Sequence, residues 1–513
     1  MGSETTLKRN VLVLIVMALA GFGFSFIPLV MYSNQLQAFP NYEGLVQSRI
    51  NALRGSIKIP TSLIEGLNQT IGGTVTPESY GAIGNGINND TSAIQQALDA
   101  GSVVSLAGGS IYRIMEPLVV PTNSGLVSDP ANPATILMDT DTGDFNGSTM
   151  VNVSSLCNCY PHSGGVGVIV ENQTNVTLRN FKLFMDYKDH VNNIGIAARN
   201  SSNVTIFNIE LTGFSISCGV ISVDACNNSA IVQNHVHDIY SNSPNGTQIT
   251  GIKIDDNRVN DNSYNIAIIN NTVSNLSVGP LFQDAVRYQV DGIHVAGAGD
   301  VETSHHIYIA GNHIELTHEG IDSYGRDILI ENNTIVGSIF AGIKLIHGAA
   351  RHCIISNVIE SSGDYGVLMT ASDVINHDTS DHVIYNNIIR DIGNHPLGLK
   401  TERSTDAAFG FETCVGGVCT GIPVDNIMYK NRIEEIGSME CLISANKGRD
   451  NVESETICDD LLRMTVKDEG NHVNSQTEIL VNSQKGVLVV LNVGILLGLV
   501  FIFILARNKG RDN

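Results

Sequence analysis

The chain contains no tryptophan, and aromatic residues make up only 6% of its 513 residues. Sugar-binding grooves commonly present aromatic faces, so a dense aromatic platform is excluded here and Tyr288, Tyr324 and Tyr365 are the residues left to stand in for one. Charge is also sparse, at 16%, and positive charge most of all: 29 Lys and Arg face 51 Asp and Glu, a net −22. That balance argues against a nucleic-acid partner and fits a solvated, acidic extracellular surface. No CxxC pair occurs among the nine cysteines, which argues against a zinc site.

Glycine, by contrast, is abundant at 50, and much of it recurs in one phrase. GVIVEN at Gly167 returns as GIAARN, GVISVD, GIKIDD, GIHVAG, GIDSYG, GIKLIH, GVLMTA and, at Gly398, GLKTER. Most copies are followed by a second phrase such as NVTLRNFKL, NIAIINNTV or DILIENNTI. The spacing runs from about 22 to about 41 residues, in the range of solenoid repeats. Each unit holds short alternating strands and Asn/Gly turns, and no unit buries its apolar face alone. Stacking closes a continuous core of Ile, Val and Leu, so the pattern predicts an all-β, right-handed parallel β-helix over 77–460. The Asn before the last strand of each unit is expected at a bend, bonding the next coil's backbone.

Two segments lie outside that pattern. Residues 11–32 and 486–506 are apolar runs without a charge, each long enough to cross a bilayer core of about 30 Å. Lys8 and Arg9 precede the first, and Arg507, Lys509 and Arg511 follow the second. The positive-inside bias then predicts two transmembrane helices at the cell membrane, cytoplasmic tails at 1–10 and 507–513, and an extracellular centre. A cleaved signal peptide is the alternative for the first run, but no small-x-small site follows it closely. Residues 33–76 read as a membrane-proximal spacer with a short amphipathic helix on Leu45, Ile50, Leu53 and Ile57, and 461–485 as a stalk.

Sequons agree with that topology. Asn68, Asn89, Asn146, Asn152, Asn172, Asn175, Asn200, Asn203, Asn227, Asn245, Asn270, Asn275 and Asn332 all fit N-x-[ST] and all fall in the external part. An Asn- and Thr-rich solenoid also generates such triplets by chance. The cysteines are external too, where disulfides persist. Cys414 with Cys419, and Cys441 with Cys458, are candidate pairs, and the odd total leaves at least one thiol over. Asp139, Asp141 and Asp144 in MDTDTGD hint at calcium but lack the central Asx-Gly and closing Glu of an EF-hand loop. No other cofactor is indicated.

The sharpest local motif is YGAIGNGINNDTSAIQQAL from Tyr80, followed by GGSIYRIMEPLVVP. Asp90 or Thr91 is placed to cap a helix with an apolar face of Ile94, Ala97 and Leu98. Such a helix would plug the open end of the solenoid, where core and strand edges are otherwise bare. The motif resembles the opening of the pectate-lyase-like superfamily, in particular the rhamnogalacturonase/epimerase-like β-helix proteins, whose usual form is YGAKGDGVTDDTAAIQAAL. With the repeats, the resemblance covers roughly residues 77–440. It implies the fold and the capping helix. It does not choose a chemistry, since such folds host hydrolases, lyases, epimerases and inactive relatives alike.

Chemistry is sought in the column two residues after each repeated glycine: Lys253, His294, Asp322, Lys344, Leu368 and Lys400. Neighbouring coils lie about 4.8 Å apart, which makes His294, Asp322 and Lys344 near neighbours, with Asp291 and Glu319 one residue before their glycines. Asp255, Asp256, His318 and His347 surround them. Two carboxyls on adjacent coils suit glycoside hydrolysis. A base beside Lys344 suits a polysaccharide lyase. VDGIHV, THEGIDS and GIKL resemble the NTD, paired-Asp and RIK motifs of polygalacturonases, but the paired Asp, the GHG element and the Arg of RIK are missing. Asp291, His294, Glu319, Asp322 and Lys344 are therefore the candidate catalytic residues, expected on the outer surface. Two functions fit: a membrane-anchored enzyme acting on a polysaccharide or surface glycan, and a non-catalytic glycan-binding or structural surface module.

Overall fold

The computed structural model describes residues 42–458 except 66, 68–72, 102, 140–164, 186–193, 214–218, 242–248, 256–261, 279–289, 297–303, 371–377, 399–406, 413–422, 435–442, 446–451 and 455–456. Outside the described residues lie both apolar runs, Asp141 and Asp144, Asp256, Tyr288, Lys400, the sequons at Asn68, Asn146, Asn152 and Asn245, and Cys414, Cys419 and Cys441. The side chain of Cys458 is also undescribed. Two compact units divide at 48/49; of the first, only the opening turns of helix Tyr42–Ser56 are described, and apart from the exposure of Leu45 all that follows concerns the second.

That unit is a parallel β-helix with three walls. Wall A is a 13-stranded sheet that starts at Thr74–Val75 and Val103–Ser105 and ends at Val452–Ser454. Walls B and C form one 22-stranded sheet because two strands, His313–Ser323 and Thr334–Leu345, run unbroken through both. One coil shows the path: Gly219–Asp224 in wall C, Asn227–Val232 in wall A, His235–Ser241 in wall B, then Ile249–Asp255 in wall C again. Every ladder is parallel, the pattern of the expected right-handed winding. Columns such as Ile252, Ile293, Ile321, Ile343 and Val367 stack in register and are wholly buried.

The repeated glycine is explained by contact rather than by turn geometry. It faces inward at the corner between walls C and B. A Cβ on Gly292, Gly320, Gly342 or Gly366 would lie 2.3–2.5 Å from the Cγ2 of a wall B isoleucine, namely Ile314, Ile335, Ile359 or Ile389. Gly342→Ala is expected to destabilise the fold by about 1–3 kcal/mol, the cost of overpacking a filled core. Gly55→Ala, where a Cβ meets nothing within 4 Å, should be neutral or stabilising in the same urea titration. Equal midpoints for the two would refute the corner argument.

The bend asparagines form an internal ladder: Asn234, Asn271, Asn312, Asn333, Asn357, Asn387 and Asn431, all at most 1% exposed. Each Nδ2 donates to the next Oδ1 at 2.9–3.0 Å. Each Oδ1 also accepts a backbone N–H from the preceding rung, and Nδ2 finds a carbonyl such as Ile330 O. The amides are thus satisfied without water, as burial requires. Most described sequon asparagines have a different task. Asn172, Asn175, Asn200, Asn203, Asn270, Asn275 and Asn332 hold φ of 47–56° at turns, a region Asn tolerates better than most residues.

Helix Thr91–Asp99 caps the first coils, with Ile94, Ala97 and Leu98 fully buried. Its N-cap is Asp90, but the carboxylate makes no cap bond. It accepts Ile83 N and Gly84 N instead, pinning the glycine turn, while Asn89 Oδ1 accepts the N–H and hydroxyl of Thr91. Asp139, one of the three calcium candidates, is ion-paired with Arg113. Residues 49–65 and 67 lie along the outer face of wall A. Arg54 pairs with Glu331 at 2.7 Å, and Leu67 packs with Phe207, Ala230, Val232 and Ala267. Within helix Tyr42–Ser56, Ile50 and Leu53 are buried as expected, whereas Leu45 is 41% exposed.

Candidate active site

Wall C brings the candidate residues together in the expected register. Asp291 pairs with Glu319, His294 with Lys253 and Asp322, and Asp322 with Lys344. Leu368 follows Lys344, and there the column departs from expectation: the next rung is Gly410, on strand Ala407–Glu412, and not Lys400. The last glycine phrase is no repeat of the strand, because Gly398 sits in a turn at φ 65°.

The expected surface position is corrected more sharply. Asp291 and Asp322 are 0% exposed, His294 and Glu319 2%, and Lys344 7%. Large neighbours stand around them: Tyr324 meets the rings of His294 and His347, and Phe340 stacks on His318 and meets Tyr365 edge-on. Together with Leu368 and Ala407, Phe340 and Tyr365 form a small apolar cluster on the outside of the coils.

Inside this cover the charges are paired. Lys344 Nζ lies 2.7 Å from Glu319 Oε1 and 3.0 Å from Asp322 Oδ2. Glu319 Oε2 lies 2.6 Å from His318 Nδ1, and Asp291 Oδ2 lies 3.0 Å from His294 Nδ1. One coil earlier, Lys253 pairs with Asp255 at 2.9 Å. Protonation follows from these contacts. Burial pushes the Asp322 carboxyl up to about 6, Lys344 pulling down and Asp291 adding to the rise. Burial would raise Glu319 as well, but the charges of His318 and Lys344 outweigh it and hold the carboxyl well below its usual range. Lys344 stays protonated because Asp322 and Glu319 overcome its desolvation. Burial drops His294 to about 4, so its imidazole is neutral near pH 7. Two carboxyls on one strand thus separate into an acid and an anion, a division that acid–base sites use.

Ligand atoms of Asp291, His294 and Asp322 lie within 4.8 Å of one another, close enough to contact one cation. Electrostatics argue against that use. The Lys344 ammonium already supplies the positive charge at Asp322, and a metal there would meet it as a like charge.

His318 and Lys253 are the members that sequence pattern underrated. His318 falls where strict alternation would turn it away from Glu319. The two side chains nevertheless meet at 2.6 Å at the corner where this strand turns from wall B into wall C; there the ladder to the next coil shifts register, with the extra residue in strand Thr334–Leu345. The αL conformation of Leu316, φ 55°, marks the bend just before it. On the next strand Gly337, φ 67°, stands opposite it.

No protein-family model matches the chain, and no curated protein matches it. Solved structures do. The family 28 exopolygalacturonase of Yersinia enterocolitica aligns at TM-score 0.53 and 15% identity over 78% of each chain. The surface adhesin PfbA of Streptococcus pneumoniae aligns at 0.51 and 14%, over 75% of this chain and 88% of its own. A tailspike of E. coli bacteriophage HK620, solved with a pentasaccharide, aligns at 0.51 and 11%, over 80% and 73%. Identities this low establish the fold alone: the pectate-lyase-like parallel β-helix.

Proposed function

We propose that this β-helix is a membrane-anchored, outward-facing enzyme that cleaves a polysaccharide at the wall C cluster. The observation that carries the reading is the separation, across one buried lysine, of Asp322, raised to about 6, from Glu319, held well below its usual range. In a hydrolase, Asp322 would protonate the leaving glycosidic oxygen while Glu319, or Asp291 beside it, handles water or the anomeric carbon. In a lyase, an ionised carboxylate would take the proton next to a uronate and Lys344 would balance the charge. The exopolygalacturonase and pentasaccharide-bound tailspike among the similar folds lend support to a glycan substrate. Anchoring rests on the apolar runs at 11–32 and 486–506 with their basic flanks; among the described residues no helix is long and apolar enough to cross a membrane.

One observation favours a second reading. Asp291 and Asp322 are wholly buried, and structural ion-pair networks also perturb pKa values. A non-catalytic glycan-binding module with a buried polar strut fits that burial. One experiment separates the two. Intact cells displaying the full chain are offered acidic and neutral polysaccharides too large to enter, and reducing ends and unsaturated products are scored separately. The enzyme reading expects one product class in the medium, abolished by external protease. Binding without either product would leave the module reading, and activity only after lysis would overturn the topology.

A further inference from the structure

A second polar cluster occupies a different face of the solenoid and is independent of the wall C reading. A cleft of about 450 Å³ opens between helix residues Arg49–Ser56 and the outer face of wall A, lined by Arg49, Leu53, His306, Asp327, Arg351 and Cys353 among others. That volume lies in the range of small-molecule sites. Two arginines near Arg49 are matched. Arg54 pairs with Glu331 at 2.7 Å. Arg351 sets Nε and Nη2 on the two oxygens of Asp327 at 2.7 and 2.6 Å, a bidentate pair.

Arg49 is different. Its Nη1 is shut away from solvent and hydrogen-bonded to none of the described residues. A guanidinium hydrogen that has lost water without gaining an acceptor is costly. Among the described residues none supplies one. Asp327 is committed to Arg351 through both oxygens. The Cys353 thiol is no anion, since burial pushes it up to about 12. Asp381, at the rim, accepts the hydroxyl of Ser380 at 3.3 Å. Leu53 and Val383 supply an apolar wall against which the uncharged part of a ligand would rest.

We propose that this cleft binds a small molecule through an oxyanion, a carboxylate or phosphate group seated on Arg49. The planar guanidinium fork matches such groups. A ligand there would touch both the helix and the coil beneath it, and so would fasten residues 49–56 to wall A.

The test is calorimetric titration of the full-length chain in a neutral detergent with sodium phosphate, sodium glucuronate and, as uncharged control, glucose. Saturable binding of phosphate or glucuronate at one per chain, with none of glucose, is expected. Phosphate alone would identify a phosphate site, and glucuronate alone a sugar-carboxylate site. Arg49→Gln should weaken the affinity at least tenfold, and Arg49→Lys less than Arg49→Gln. Ala52→Phe, an exposed position on the cleft wall, should block binding without touching the arginine, which keeps the test valid if Arg49→Gln folds poorly. No saturable binding of either anion to the unsubstituted chain overturns the proposal. So does unchanged affinity in both Arg49→Gln and Ala52→Phe.

Discussion

Lys344→Met should destabilise the solenoid by about 3–5 kcal/mol at neutral pH, the range for removing one partner of a buried charge network. Lys344 lies between Glu319 and Asp322 at 2.7 and 3.0 Å, and all three are at most 7% exposed. Methionine fills much of the same volume, so the loss is electrostatic rather than steric. Without the ammonium, both carboxyls lose the influence that lowers their pKa. Each then escapes its penalty by binding a proton. The effect therefore depends on pH with a definite sign: the variant binds more protons than the parent when folded, so its deficit shrinks as pH falls. Urea unfolding at about pH 7 and about pH 4.5 reads this directly through the linkage of stability to proton uptake. A deficit below about 1 kcal/mol at neutral pH, the value for exposed pairs, would show that the cluster is solvated in solution.

The parts of this architecture that were legible in the sequence are those set by contact between one coil and the next. The repeated glycine is readable because an isoleucine Cγ2 stands 2.3–2.5 Å from where a Cβ would go, coil after coil. The bend asparagine is readable because only a side chain with both donor and acceptor continues the ladder from Asn234 to Asn431. The register of Asp291, His294, Glu319, Asp322 and Lys344 follows from counting two residues past each glycine, and the ladders keep it. What could not be read depends on residues distant in sequence or on broken periodicity. Burial of the cluster is not announced by alternation; Tyr324 meets His294 and Phe340 stacks on His318. His318 meets Glu319 at the corner where one strand turns between two walls, where alternation breaks. Lys400 was assigned by its phrase, yet the strand at that level begins at Ala407.

Asp322→Asn should lower polysaccharide turnover by 100-fold or more, the scale on which a positioned acid or base contributes, while leaving the fold intact. Below about pH 6 this substitution is mild, because the parent carboxyl is itself protonated there and an amide resembles it in size and charge. Glu319→Gln is the harsher partner. It removes the anion that Lys344 and His318 both hold, so loss of turnover there comes with loss of stability, and only Asp322→Asn reports on chemistry cleanly. Two pH signatures accompany it. As the general acid, Asp322 makes the parent's rate fall as pH rises past about 6, and the amide variant should lose that limb in its residual activity. The folded pKa also lies above the ordinary 3.8, so this group's contribution to stability is complete below about pH 4 and fades as pH rises through about 6; the variant should lose that part of the slope. Unchanged turnover in Asp322→Asn, with the stability slope still abolished, would show that the carboxyl titrates where the structure puts it but does no chemistry, and wall C would then be a buried strut in a glycan-binding module.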